Sequence, residues 1–66
     1  MYLNAKAEMI RRGLRLEDVA KLMGMSISTL SMKLNGKYQF TFKEAIRFKE
    51  IVQSDLPLEV LFEEVG

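Results

Sequence analysis

The stretch LRLEDVAKLMGMSISTLSMKLNGK, residues 14–37, decides the fold of this chain. Apolar residues recur in it at helical spacing, and the pattern is interrupted once, at Gly24. Gly24 suits the left-handed conformation that ends a helix, and Ser26 is a residue type that begins the next one. Ala20 lies in the helix before this turn and is small enough for the helix after the turn to cross close to it. The stretch therefore predicts two short helices packed against each other across a tight turn.

The helix after this turn is predicted to begin behind Ser26 and to end at Asn35-Gly36, and the helix before it to extend from about Leu16 to Met23. The later helix has two different faces. Its apolar face holds Ile27, Leu30 and Leu34, and its second face holds Ser28, Thr29, Met32 and Lys33. Serine and threonine are poor helix formers at exposed interior positions, so this second face indicates a function.

Three more helices are predicted outside this pair. The first extends from about Asn4, a plausible N-cap, to Arg12. The fourth begins at a capping box, residues 41–44, and ends near Gln53, and the fifth begins around Pro57. Their apolar residues are Leu3, Ala7, Ile10 and Leu14 in the first, Ala45, Ile46, Phe48 (or the stem of Lys49) and Val52 in the fourth, and Leu58, Leu61, Phe62 and Val65 in the fifth. We therefore expect an all-α fold of five helices.

Composition limits the possible functions of the chain. Its 66 residues are enough for one small domain, residues 1–66. It has no cysteine and no histidine, which excludes disulfides, the usual zinc sites and histidine-dependent acid–base chemistry. No apolar run approaches the ~20 residues of a membrane span, and no signal-peptide pattern opens the chain. We expect a cytoplasmic protein with no metal, cofactor, membrane partner or small-molecule ligand.

The net charge of +1 conceals a strong asymmetry along the chain. Residues 1–49 hold all ten lysines and arginines against four acids, whereas residues 50–66 hold five acids and no base. Such a division favours a body that faces a polyanion and an end that faces away from it. The alternative is that charge merely varies along a short chain.

The stretch 14–37 resembles the lambda-repressor-like (Cro/C1, XRE-type) helix-turn-helix family. The family pattern is roughly L-T-x-x-E-L-A-x-x-L-G-V-S, then S-T-I-S, then N-G-K, and the chain has matching residues in the same order. Residues 42–46 and Leu61-Phe62 look like the fourth and fifth helices of its compact phage members. The resemblance covers nearly the whole chain, and it implies a small phage or mobile-element regulator that binds double-stranded DNA.

The resemblance, together with the position of polar and cationic residues at helix starts and turns, predicts which residues contact DNA. The expected base contacts are Ile27, Ser28, Thr29, Ser31 and Met32. The expected phosphate contacts are Arg15, Ser26, Lys33, Asn35, Gly36, Lys37 and Lys43. Because this face lacks the arginine, asparagine or glutamine that reads a base edge with two hydrogen bonds, we expect modest direct specificity.

Several of these assignments have alternatives. Ile27 shares a face with the predicted core, and Met32 is equally consistent with an exposed methionine that has no role. The family has an apolar residue at the position of Lys33, so it stays open which of Ser28, Met32 and Lys33 points at bases. The alternative for Lys37 and Lys43 is ordinary solvated surface charge. The nearby aromatic residues Tyr38, Phe40 and Phe42 are expected to pack their loop onto the core.

Three classes of function compete. The leading one is a transcriptional repressor that binds an inverted repeat as a homodimer. The C-terminal helix (Leu58, Leu61, Phe62 and Val65) is either its dimerisation surface or a solvated face. The second class is a protein-interaction module on the same fold, such as an antirepressor or an antitoxin-like partner. The third is an enzyme, which we discount because no set of nucleophile and base can be assembled around carboxylates such as Glu63-Glu64.

Overall fold

The computed structural model describes residues 1–65 and consists of five α-helices in this part of the chain. They are α1 (Leu3–Arg11), α2 (Leu16–Met23), α3 (Ile27–Leu34), α4 (Phe42–Val52) and α5 (Leu58–Leu61). No β-strand occurs among the described residues. The predicted all-α fold, with α2 and α3 as a helix-turn-helix, is confirmed. A search of the same residues finds no helix with the length and apolar character needed to cross a bilayer.

The residues predicted to begin and end the central helices do so in the structure. Gly24 ends α2 in the left-handed conformation, with φ 73° and ψ 31°. The Ser26 hydroxyl accepts a hydrogen bond from the backbone N–H of Thr29 at 3.0 Å and so caps α3. At α4, Thr41 and Glu44 form the capping box, each side chain accepting from the backbone N–H of the other. These local bonds satisfy donors that a helix start leaves free.

The core is a small apolar cluster to which every helix contributes. Its buried members are Ala5, Met9, Val19, Ala20, Leu30, Leu34, Phe48, Val52 and Leu61. Beside it lies an aromatic group in which Phe40 contacts Tyr2, Phe48 and Phe62, with ring centroids 4.9–5.9 Å apart. This group joins the chain start, the loop after α3 and the end of α5, so it closes the domain.

Of the apolar stripe expected on the first helix, Leu14 packs against the core, but Leu3, Ala7 and Ile10 are exposed. Ile10 is 76% exposed and Leu3 is 50% exposed, whereas Ala5 and Met9 are buried. The predicted N-cap is also wrong, because α1 begins at Leu3 and the Asn4 side chain donates to the Val60 carbonyl oxygen at 2.8 Å. Contacts from distant parts of the chain therefore set the rotation of α1, and periodicity within the helix does not.

Arg12, just after α1, supplies one of these distant contacts. Its guanidinium donates to the carbonyl oxygens of Val52 and Gln53, at 3.0 and 2.7 Å. Those carbonyls lie at the end of α4, where helix geometry leaves acceptors without a partner. Arg12 is exposed, and its side chain links α1 to α4.

The C-terminal helix differs from its prediction in length and in exposure. α5 has only four residues, because Leu61 is fully buried and Phe62 turns into the aromatic group. Leu61 and Phe62 therefore pack within the chain's own core. The predicted dimer surface of Leu58, Leu61, Phe62 and Val65 is therefore not a continuous exposed face, because Leu61 is buried, Leu58 and Phe62 are half-buried and Val65 is exposed.

The aromatic residues after α3 divide between core and surface. Phe40 packs inward as expected, but Tyr38 is 54% and Phe42 73% exposed. Phe42 is the first residue of α4, and the capping box directs that position outward. Ile46, one turn later on the same side of α4, is exposed as well, although it was predicted to be buried.

Candidate nucleic-acid interface

The orientation of α3 follows from its two buried leucines. Leu30 and Leu34 are 0% and 2% exposed and fix the side of α3 that faces the core. Each residue turns the helix by about 100°, so Ser28 and Met32 lie opposite those leucines. Ser28 is exposed and Met32 is half-buried. The side of α3 that turns away from the core is therefore small and uncharged.

Ile27 lies on the same side of α3 as the two buried leucines, but at the start of the helix, where the core does not cover it. Ile27 is 50% exposed, so its alternative interpretation as a core residue is not supported. Thr29 is half-buried, and its hydroxyl accepts a hydrogen bond from the Ser26 hydroxyl at 2.8 Å. Both hydroxyls are engaged in the cap, which makes the first turn of α3 rigid and leaves Ile27 and Ser28 as its most accessible side chains.

Ser31 lies on a different side of α3 from Ser28. It is half-buried and lines an open hollow between α1 and α3 with a volume of about 230 Å³. The hollow is lined by Lys6, Met9, Ile10, Leu16, Ser31, Leu34 and Asn35. Of the five predicted base contacts, Ser31 is thus the one turned farthest towards α1.

Lys33 is held inside the domain and is not presented with the other cations. Its ammonium donates to Glu44 Oε1 at 2.7 Å and to the Gln39 carbonyl oxygen at 3.1 Å, and it lies 5.9 Å from the Phe40 ring centroid. The hydrogen bond from Lys33 holds the pKa of the Glu44 carboxyl below its usual range, with help from the Thr41 backbone N–H. Lys33 therefore positions the start of α4 relative to α3.

The turn after α3 is already satisfied by internal hydrogen bonds. The Gly36 N–H donates to the Lys33 carbonyl oxygen, and the Lys37 N–H donates to that of Met32 at 2.9 Å. Asn35 Oδ1 accepts from the Lys6 ammonium at 2.7 Å. The two backbone N–H groups are thus committed within the domain, and the exposed Lys37 side chain is what this turn offers to an anion.

Gly36 has a second reason to be glycine besides its φ of 83°. A Cβ atom there would lie 3.0 Å from the backbone nitrogen of Met1 and 3.1 Å from Glu64 Oε2. Chain start and chain end therefore both approach the turn after α3. The Tyr2 N–H strengthens this arrangement by donating to the Leu34 carbonyl oxygen at 2.9 Å.

Two further cations stand at helix starts, where the helix dipole adds positive potential. The Arg15 side chain is 81% exposed before α2, and its Nη1 lies 3.7 Å from Glu17 Oε1. Its backbone N–H donates to Asp18 Oδ2 at 3.0 Å, which satisfies the donor of the residue that precedes α2. Lys43 is exposed in the first turn of α4, next to the exposed Phe42.

We take as the candidate surface the exposed groups on the outward side of α3, in the turn after it and at the starts of α2 and α4. Sequence reasoning missed Phe42 and Lys6 as neighbours of this surface. The capping box was a usable signal for Phe42, because the first residue after a cap is seldom buried on all sides. No comparable signal marks Lys6. Among residues 1–65, no group of three or more carboxylates is arranged to hold a metal ion.

Comparison with known proteins agrees with this arrangement. A family model described as helix-turn-helix matches residues 6–56, which include α2, the turn, α3 and α4. No curated protein matches the chain significantly, and neither does any solved structure.

Proposed function

The chain belongs to the Cro/C1-type helix-turn-helix family of DNA-binding regulators, and from this premise we propose that it represses transcription by binding an operator in duplex DNA. The observation that carries the proposal is the outward side of α3. It is small and uncharged, and exposed cations stand at the starts of α2 and α4. An α-helix with such a side fits the major groove, while the cations suit the phosphates beside it.

Base reading falls to the side chains that α3 directs outward. Ser28 can donate to or accept from several base edges, and Ile27 and Met32 can contact a thymine methyl group. Thr29 and Ser31 lie at the two borders of this side and take smaller parts. Such contacts discriminate weakly between bases, so phosphate contacts and DNA shape carry much of the binding.

Phosphate binding falls to the exposed cations Arg15, Lys37 and Lys43. Lys43 is supported best, because its ammonium and the start of α4 attract the same anion. Ser26, Asn35 and Gly36 contribute by shaping α3 and its turn, since their polar groups are engaged internally. Lys33 acts as a positioning residue for the start of α4, because Glu44 holds its ammonium.

We further propose a phage or mobile-element repressor without catalytic activity that works in the cytoplasm as a homodimer. A dimer of this kind binds an inverted repeat whose half-sites are about one helical turn apart, and it excludes polymerase from the promoter. The single domain offers each half-site one α3.

The test is selection from a random pool of duplex DNA, followed by salt titration of binding to the enriched sequence. We expect an inverted repeat with half-sites about ten base pairs apart. Affinity should fall steeply with salt, because cations on the protein displace counterions from the phosphates. If no sequence is enriched and binding is weak and independent of salt, the proposal of DNA binding is contradicted.

Matched variants locate the phosphate contacts. Replacing Lys43 by alanine should lower affinity for all duplex sequences and reduce the salt slope by about one. Arg47→Ala removes the same charge one turn further along α4 and should leave the slope nearer to that of the unchanged chain. Equal effects of the two substitutions would mean that only net charge matters.

The alternative is a protein-interaction module on the same fold, favoured by the absence of a strong base-reading side chain on α3 before Asn35. It predicts failure of the selection together with an intact fold.

A further inference from the structure

The side of α1 that faces away from the core is apolar. Leu3 and Ile10 are 50% and 76% exposed, and Ala7 between them is exposed as well. At 100° per residue these three side chains share one side of the helix, opposite Ala5 and Met9. We refer to Leu3, Ala7 and Ile10 as the α1 outer face. A contiguous apolar patch on a small domain marks a site of association.

The C-terminal segment extends this face at the start of α1. A shallow hollow there is lined by Leu3, Asn4, Glu63 and Val65. The backbone N–H of Val65 donates to the Met1 carbonyl oxygen at 3.0 Å, which holds the segment beside α1. Val65 therefore adds apolar surface at this end of the α1 outer face, and Glu63 adds a carboxylate.

The two ends of the α1 outer face carry opposite charges. Arg11 ends α1 with its side chain 68% exposed, and its Nη1 lies 3.4 Å from Glu8 Oε2, which leaves the rest of the guanidinium open to a second carboxylate. Glu63 lies at the start of α1. Asn4, which lines the hollow with Glu63, is seven residues before Arg11. Two helical turns separate them, so both lie on the same flank of the face. The charges are thus arranged along one edge of an apolar strip, positive at one end and negative at the other.

We propose that the α1 outer face binds the same face of a second copy of this chain, with the two helices antiparallel. A two-fold axis near Ala7 then brings Leu3 of each copy against Ile10 of the other. The same axis brings Arg11 of each copy to Glu63 of the other, so two ion pairs form along one edge of the contact, one at each end. Alanine at the centre lets the helices approach closely. Charge complementarity favours a second copy as the occupant, because each chain carries both members of the ion pair. It favours the antiparallel orientation, because a parallel one would place both Arg11 side chains at one end of the contact and both Glu63 side chains at the other.

The expected association is weak. α1 has nine residues and is about 14 Å long, so the contact is smaller than that of a permanent dimer. The free chain should therefore be in equilibrium between monomer and dimer, and DNA that binds two copies side by side should favour the dimer. This inference rests on the proposed function only in that second part, because self-association is measurable without DNA.

The experiment is sedimentation equilibrium over a wide range of protein concentration. We expect a reversible monomer–dimer equilibrium, and we expect Ile10→Glu to weaken it at least tenfold because a carboxylate would be buried in the apolar contact. The matched control is Leu22→Glu, since Leu22 is 51% exposed on α2 and lies outside the α1 outer face. A monomer at every concentration, or equal weakening by both substitutions, overturns the proposal.

Charge reversal tests the antiparallel register. Glu63→Arg should weaken dimerisation roughly fivefold by placing two arginines together, and adding Arg11→Glu should restore it. Thermal unfolding of each variant at low concentration shows that the fold is kept. A double variant as weak as Glu63→Arg alone would refute this register.

Binding to duplexes that carry one or two half-sites separates the two proposals. Ile10→Glu should bind a single half-site like the unchanged chain but lose cooperative binding to two. A chain that dimerises through α1 yet binds no duplex would refute the proposed function alone. A chain that binds two half-sites cooperatively while Ile10→Glu does the same would refute the α1 contact alone.

Discussion

The outward sides of α3 and α1 differ in the way the chain exposes them. Both belong to helices of eight or nine residues, and both turn away from the same core. On α3 the exposed side is polar and the leucines are buried, as amphipathic patterning requires. On α1 the exposed side is apolar, while the buried side includes the carboxylate of Glu8.

This difference shows where the orientation of each helix is encoded. Gly24 and Ser26 fix the entry of the chain into α3, and Leu30 and Leu34 fix its rotation, all within a dozen residues. α1 is fixed by bonds to residues more than thirty positions away, through Tyr2, Asn4 and Arg12. An apolar side that local patterning would bury is thereby left to solvent, which is why we assign it to a second copy.

The largest expected effect distinguishes the buried side of α1 from its exposed side. Met9→Ala removes a side chain that is 6% exposed and should lower the free energy of unfolding by about 2–5 kcal/mol. Ile10→Ala, one residue later, should change it by less than about 0.5 kcal/mol when the chain is monomeric. Urea denaturation at low protein concentration measures both. A larger loss for Ile10 would reverse the orientation of α1 described above.

The next effect concerns the bonds that rotate α1. Arg12→Ala leaves two carbonyl oxygens at the end of α4 without their partner and should cost about 1–2 kcal/mol of unfolding free energy. Its neighbour Arg11 has an exposed side chain, so Arg11→Ala in the monomer should cost less than about 0.5 kcal/mol. Thermal melts of the two variants should differ clearly, and equal melting temperatures would argue against the link from α1 to α4.

A smaller effect tests the cation at the end of α3. Lys33→Met keeps an apolar stem near Phe40 but loses the hydrogen bond to Glu44, so we expect a loss of about 1 kcal/mol. Because Lys33 is assigned to positioning, the salt slope of DNA binding should not change, unlike that of Lys43→Ala. A slope reduced by about one would return Lys33 to the phosphate contacts.

The smallest effect concerns the buried side of α1 in acid. A hydrogen bond from the Ser54 hydroxyl, aided by Arg11, lowers the pKa of the Glu8 carboxyl. A carboxyl with a lowered folded-state pKa stabilises the fold above its unfolded value of about 4.3, and that stability is lost as pH falls through the lowered folded value. Glu8→Gln should therefore flatten the decline in stability below about pH 5. The exposed Glu17 serves as the control, and Glu17→Gln should leave the decline unchanged.

Sequence alone was sufficient to predict the five helices, the turn at Gly24, the caps at Ser26 and Thr41, and the family of the chain. These features depend on neighbours within a few residues, whose stereochemistry and hydrogen bonding can be deduced from residue type alone. The small polar side of α3 was predictable for the same reason, because its burial pattern repeats over a single helix.

Three features depend on tertiary packing: which side of α1 is buried, which groups the Lys33 ammonium contacts, and which side chains of α5 enter the core. The Lys33 bond to Glu44 joins residues eleven positions apart, and Asn4 is bonded to Val60 across almost the whole chain. The sequence alone left Leu61 and Phe62 as candidates for a dimer surface. In the structure Leu61 is buried in the core and Phe62 packs against Phe48. Such choices depend on the packing of all five helices at once, because each buried side chain needs partners that lie far away along the chain.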